Sequence, residues 1–151
     1  MENLNTELKA TGKLVIQHFN GEGSLIGEYE HNNLVVTVGL AHIAARMAQT
    51  GIPTQMTHMA IGSGATAAAA GNTALQTQLG RVALTTAGGT PSSNSITYAA
   101  SFPAGTGTGA VTEAGIFNDV TAGTMLCRTV FPVINKGADD VLAVSWVVTI
   151  N

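Results

Sequence analysis

Apolar residues recur at every second position over most of this chain, and only one stretch shifts to a helical period. Val141–Ile150 carries the clearest alternation, placing Leu142, Val144, Trp146, Val148 and Ile150 on one face of a strand. Ser95–Phe102 repeats it with Ile96, Tyr98, Ala100 and Phe102. Lys13–Phe19 and Ser24–Glu30 flank Asn20-Gly21-Glu22-Gly23, whose Asn and Gly accept positive φ, and the pair predicts a hairpin. Glu28 and Glu30 share one face of the return strand, which is then solvated or meets a basic partner. Further strands are expected at Gln55–Ile61, Arg81–Thr86, Val111–Asn118 and Thr124–Val133, the last with Pro132 marking an edge or a strand end.

From Thr37 the period changes. Leu40, Ile43, Ala44 and Met47 fall at i, i+3, i+4 and i+7, which predicts a helix over about residues 37–50. Thr37 is its expected N-cap, and Gly51 ends it before Pro53. His42 and Arg46 lie off that stripe. Thr73-x-x-Gln76 fits a capping box and predicts a short helical turn over about 72–78. Ala87–Asn94, Pro103–Ala110 and Asn135–Asp140 are Gly-rich or polar and read as loops. The expected fold is mainly β, an antiparallel β-sandwich or barrel-like domain with one α-helix. Residues 1–10 show no period and read as an N-terminal arm, and residues 11–151 form a single β-rich domain.

Composition changes the picture in one respect. Apolar residues at 45% are ordinary for the 151 residues, but charged residues at 10% are far below the usual share of about 25%. Strands rich in Val, Ile and Thr with so few guarding charges invite pairing with another chain, so a homo-oligomer is expected, with a trimer as first choice. A net charge of −3 and six scattered basic residues give no footprint for nucleic acid. No apolar run reaches the roughly 18 residues of a membrane span, and the polar N-terminus lacks a signal peptide's pattern. The lone Cys127 excludes an intramolecular disulfide and reads as a buried, inert thiol.

The low charge is concentrated around Met59–Leu84. Between Arg46 and Glu113 the only Asp, Glu, Lys or Arg is Arg81. Such a run is not ordinary wet surface, and Gly62, Gly64, Leu75 and Leu79 are its candidate assembly residues. Arg81, Glu113 and Arg128 lie in three strand-like segments among small or apolar neighbours. They are read as a structural ion-pair group, since a charge in an uncharged neighbourhood must be paired or stay wet. An acid–base site would need a second carboxylate or a histidine beside them, and none is evident.

The other candidate chemistry is thin. Gly62-Ser63-Gly64-Ala65-Thr66-Ala67 lacks the third glycine and the βαβ context of a dinucleotide site, and no P-loop or G-x-S-x-G is present. His18, His31, His42 and His58 have no metal-ligand spacing. Asp139 and Asp140 beside Lys136 supply too few oxygens for calcium. No cofactor, metal or catalytic residue is expected.

Four segments together carry a resemblance: NLVVTVGLAHIAARM, MAIGSGATAAAAGNTALQTQLGR, VTEAGIFN and GTMLCRTVFPVINKGADDVLAVSWVVTI. With their IG-x-G turn, T-A-L-x-x-E-like helix, following Arg, E-x-G-I-F strand, R-x-x-F strand and final W-x-V strand, they resemble short bacteriophage structural proteins of the tail-fibre type. The likeness spans roughly Asn33 to Ile150. It implies a non-enzymatic, β-rich, trimeric virion component. A stand-alone trimer of this kind suits a capsid decoration or cement protein bound to the major capsid protein; a tail-fibre or baseplate protein is the alternative. A glycan-binding adhesin is a more remote reading, because exposed aromatic residues are few.

Overall fold

The computed structural model describes residues 7–151, and its nine strands form one antiparallel sheet. They are β1 (Ala10–Phe19), β2 (Leu25–Val35), β3 (His58–Gly62), β4 (Gln78–Ala83) and β5 (Thr90–Ser92), then β6 (Ser95–Phe102), β7 (Gly109–Phe117), β8 (Met125–Lys136) and β9 (Val141–Ile150). One helix, α1 (Thr37–Ala45), follows β2. The sheet order is β4-β3-β7-β8-β2-β1-β9-β6-β5.

The period-two pattern sets the register. Leu14 of β1 stands opposite His31 of β2 and Trp146 of β9, and Trp146 stands opposite Tyr98 of β6, so one row of inward side chains crosses four strands. β2 is the turning point of the sheet. It pairs with β1 over most of its length but with β8 only through Leu34 and Val35, opposite Arg128 and Cys127. The sheet curls there, and the curl brings Thr85, just past β4, to donate its amide to the Ala99 carbonyl of β6 at 2.8 Å. Inside lie Leu14, Ile16, Met59, Ile61, Phe102, Ile116, Ile134 and Trp146, all essentially inaccessible. Each such side chain contributes about 1.5–3 kcal/mol of burial, and together they set the sheet's curvature.

One of the two sheet edges, β5, is guarded. β5 is three residues long and contains Pro91, which has no amide to offer. Pro132 sits within β8, where Phe131, Pro132 and Val133 stand against the single Thr112 between the pairs Val111–Ile134 and Glu113–Val130. It therefore marks a bulge, and the strand continues to Lys136. Glu30 pairs with Lys13 on the exposed side of the β1–β2 hairpin, and Glu28 accepts from Gln17.

Several expectations are corrected. The helix ends at Ala45, short of residue 50, and its N-cap is Val36 without a side-chain capping bond; the Thr37 amide instead donates to the Ala70 carbonyl. The face turned inward is Gly39, His42 and Ile43. Leu40 and Met47 of the predicted stripe are exposed, at 49% and 85%. Gly39 explains this rotation: a Cβ there would lie 2.0 Å from the Leu126 carbonyl oxygen, so the helix rests its bare backbone on β8. No helical turn forms at 72–78. Residues 1–6 of the expected arm lie outside the described residues, but Lys9 exchanges two backbone bonds with Asn151 and Ala10 already belongs to β1. Within Ala87–Asn94, the segment Thr90–Ser92 is strand.

Candidate functional site

The uncharged stretch resolves into an arc, residues 63–77, that leaves β3 and covers the outer face of β3, β7 and β8 before entering β4. Glu113 of β7 points outward into this arc, opposite Gly62 of β3 and Val130 of β8. Its side chain is completely buried. Oε1 accepts the amides of Gly64 at 3.0 Å and Thr77 at 2.8 Å, and Oε2 accepts the Gln76 amide at 3.0 Å. Arg128 of β8 completes the shell, its Nε at 3.0 Å and Nη2 at 2.9 Å from Oε2.

Arg128 then reaches into the arc itself. Its Nη1 donates to Asn72 Oδ1 and its Nη2 to the Thr66 carbonyl, both at 3.0 Å. Asn72 Oδ1 also accepts the Ala69 amide, Gln76 Oε1 the Thr66 amide, and Thr112 donates its hydroxyl to the Gly64 carbonyl. The missing helical turn follows directly. The Gln76 and Thr77 amides, which a helix would direct along its axis, turn instead to the carboxylate. A charged acceptor makes stronger bonds than a backbone carbonyl.

The electrostatics favour an ionised Glu113. Burial by itself would raise its pKa, but the Thr77 and Gln76 amides, Arg128 and the Gly64 amide together outweigh it and hold the carboxyl below the usual range. Glycine is required at two positions. A Cβ on Gly62 would lie 2.3 Å from the Thr77 carbonyl oxygen and one on Gly64 2.4 Å from the Gln76 Cβ, each also 2.6 Å from Glu113 Oε1.

Arg81 departs from the expected group. It shares a cross-strand row with Ala60, Gly115 and Arg128, but Leu75 stands over Gly115 between the two guanidiniums. Arg81 turns away from Glu113, lies 3.8 Å from the centroid of the Phe117 ring, and donates to the carbonyls of Asp119 at 3.1 Å and Ala122 at 2.9 Å. The four assembly candidates are also placed differently. Gly62, at the end of β3, and Gly64, at the start of the arc, are buried, Leu75 packs with Val36, Ala60, Phe117 and Met125, and Leu79 packs against the main core. The residues the arc does expose are Ala65, Thr66, Ala67, Ala69, Ala70, Gly71, Thr73, Ala74, Gln76 and Thr77.

The remaining candidates are dispersed. His18 meets Asp140 Oδ2 at 2.8 Å, His31 stacks on Phe131, His42 is buried on the inner face of α1, and His58 bonds Thr57. Among the described residues no three His, Cys, Asp or Glu side chains group to hold a metal. Asp140 and Lys136 close the turn before β9, with Lys136 Nζ on the Pro103 and Asp140 carbonyls. Cys127 is fully buried and its thiol pushed well up by that burial. Asn72 and Gln76 were not expected as binding partners; their only signal in the sequence is a polar spacing that also fits a helix cap.

No protein-family model matches this chain, no curated protein is significantly similar to it, and no solved structure matches its fold. What can be said of class is architectural: a mainly β protein built on a curled nine-stranded antiparallel sheet with one helix.

Proposed function

We propose that this chain is a non-enzymatic structural protein of a bacteriophage virion, assembling as a trimer that decorates the head and cements the major capsid protein. The observation that carries this reading is a continuous exposed surface without charge. It joins the outer side of α1, with Leu40, Ala41 and Ala44, and Met47 just past it, to the Ala-rich arc through the Thr37–Ala70 bond. Between Glu30 and Arg81 the only formally charged residue is Arg46. The arc is bound to the sheet by the buried Glu113–Arg128 pair, so this surface is presented in a fixed shape. A rigid, uncharged face with exposed Leu and Met suits a protein–protein contact. The resemblance of the motif order to short phage structural proteins supports the virion setting, and its tail-fibre character supports attachment at the tail or baseplate as the second reading. A glycan-binding module has less support, because Trp146 and Tyr98 are buried.

Sedimentation equilibrium tests the assembly. A trimer is expected at micromolar concentration, and Met47→Asp or Ala67→Glu should dissociate it while leaving the fold intact by circular dichroism. A wild-type chain that stays monomeric would overturn the reading. Co-sedimentation with separated heads and tails then distinguishes decoration from tail attachment.

A further inference from the structure

β2 keeps one edge open. β8 pairs with it only through Leu34 and Val35, so no strand is paired to residues 25–33 on that side. We infer that this edge takes an extended segment of another protein as an added strand, with lysine or arginine at alternate positions facing Glu28 and Glu30. The inference uses no residue of the α1–arc surface and does not depend on the virion reading.

The alternation of the strand fixes which groups the edge offers. The Asn32 carbonyl turns toward β8 and accepts the Thr129 hydroxyl at 2.9 Å, and the Val36 amide turns the same way, to the Leu126 carbonyl at 3.2 Å. Residues two apart point alike, so the N–H and C=O groups of Glu28 and Glu30 face away from β1. They have no backbone partner among the described residues. A row of alternate donors and acceptors matches another extended backbone, which sets the class of occupant. β8 cannot supply it. Continued past the Leu34–Arg128 pair, the register would set Pro132 against Glu30, and proline has no amide to give. The bulge at Phe131–Val133 falls at the same place. Leu25 and Ile26, at 51% and 54% exposed, lie along the open edge and give an incoming strand apolar neighbours.

Charge selects the partner. Glu28 and Glu30 share the exposed side of β2, next to the open edge. Glu30 pairs with Lys13, but Glu28 meets only the Gln17 side-chain amide, at 3.3 Å. An added strand sets its own side chains about 5.5 Å away on the same face, where a cation is favourable and a carboxylate is not. That argues against a second copy of this chain. Another β2 would bring two more carboxylates, and residues 1–8 hold Glu2 and Glu7 with no lysine or arginine. β5 carries no charge, and the Arg81 of β4 is already engaged on Phe117.

Backbone-amide NMR of the full chain at low ionic strength tests this, with the peptide acetyl-Thr-Lys-Val-Lys-Val-Thr-amide and, in parallel, the same peptide with glutamate for both lysines. Saturable shifts centred on the Glu28 and Glu30 amides are expected below about 1 mM lysine peptide. The glutamate peptide should bind at least about fivefold more weakly, and the difference should shrink in salt. Glu28→Lys should abolish the preference for lysine. A lysine peptide N-methylated at both lysine amides should not bind, because those amides face the edge. Absence of saturable shifts in the wild type, shifts centred elsewhere, equal binding of the two peptides, or undiminished binding of the N-methylated one would overturn the assignment. So would β2 amides that shift with protein concentration alone, since the edge would then belong to a second copy. The wild-type titrations decide even if Glu28→Lys does not fold.

Discussion

Two polar anchors hold this molecule at opposite places, and they differ in how much water reaches them. Glu113 and Arg128 are sealed between the sheet and the arc, with five N–H contacts converging on one carboxylate. His18 and Asp140 tie β1 to the turn before β9 with one contact at 2.8 Å, and Asp140 keeps an edge in solvent. The first anchor organises fifteen residues of irregular chain; the second fastens a turn that already closes through the backbone bond from the Asp140 amide to the Gly137 carbonyl. A sealed ion pair is not in itself a large source of stability, because desolvation offsets most of the attraction. What it supplies is specificity: removing either member leaves the other charge buried with nothing to answer it.

The largest expected effect comes from breaking the sealed anchor on one side. Arg128→Met should destabilise the fold by about 3–5 kcal/mol, read as a fall in the urea midpoint, and should expose residues 63–77 to limited proteolysis. Replacing both partners, Glu113→Gln with Arg128→Met, should cost less than the sum of the single changes. An additive cycle would show that the pair is not coupled.

Acid should separate the anchors next. Glu113 has a depressed pKa, so its contribution is complete above the unfolded carboxyl value of about 4.3 and is lost as pH falls through the lower folded value. Asp140 is also depressed, by His18 and then by the Gly137 amide, and follows the same sign. Melting curves between pH 6 and 2 should therefore steepen their decline below about pH 4, and Glu113→Gln should flatten that decline more than Asp140→Asn.

Gly64→Ala presses a methyl into Gln76 and Glu113 and should cost about 1–3 kcal/mol by overpacking. Arg81→Ala should have the smallest effect, near 1 kcal/mol for a half-exposed guanidinium on an aromatic ring, or about 2–4 °C in thermal midpoint. Because Leu75 separates it from Glu113, its effect should add to that of Glu113→Gln. A strong coupling between the two would return Arg81 to the ion-pair group.

Much of this was legible in the chain, for identifiable reasons. A strand's period is two, so Val141–Ile150 and Ser95–Phe102 announce both their existence and their buried faces without any neighbour. The rarity of charge made Glu113 and Arg128 conspicuous, since a lone ion in an apolar strand must find a partner. The arc was not legible, because Asn72–Gln78 satisfies helix-cap rules locally. Its actual conformation depends on a carboxylate supplied from 36 residues further along the chain.

The helix shows the same limit. Sequence alone determined that residues after Thr37 would be helical, but Leu40 and Met47 looked like its core face, and a glycine against the Leu126 carbonyl turned them outward. Periodicity, turn chemistry and charge scarcity are properties of neighbouring residues, so the sequence determined the strands, the hairpin and the need for a buried pair. Which guanidinium met Glu113, which side of α1 faced in, and where the uncharged surface lay depended on contacts between distant segments. Those the curl of the sheet decided.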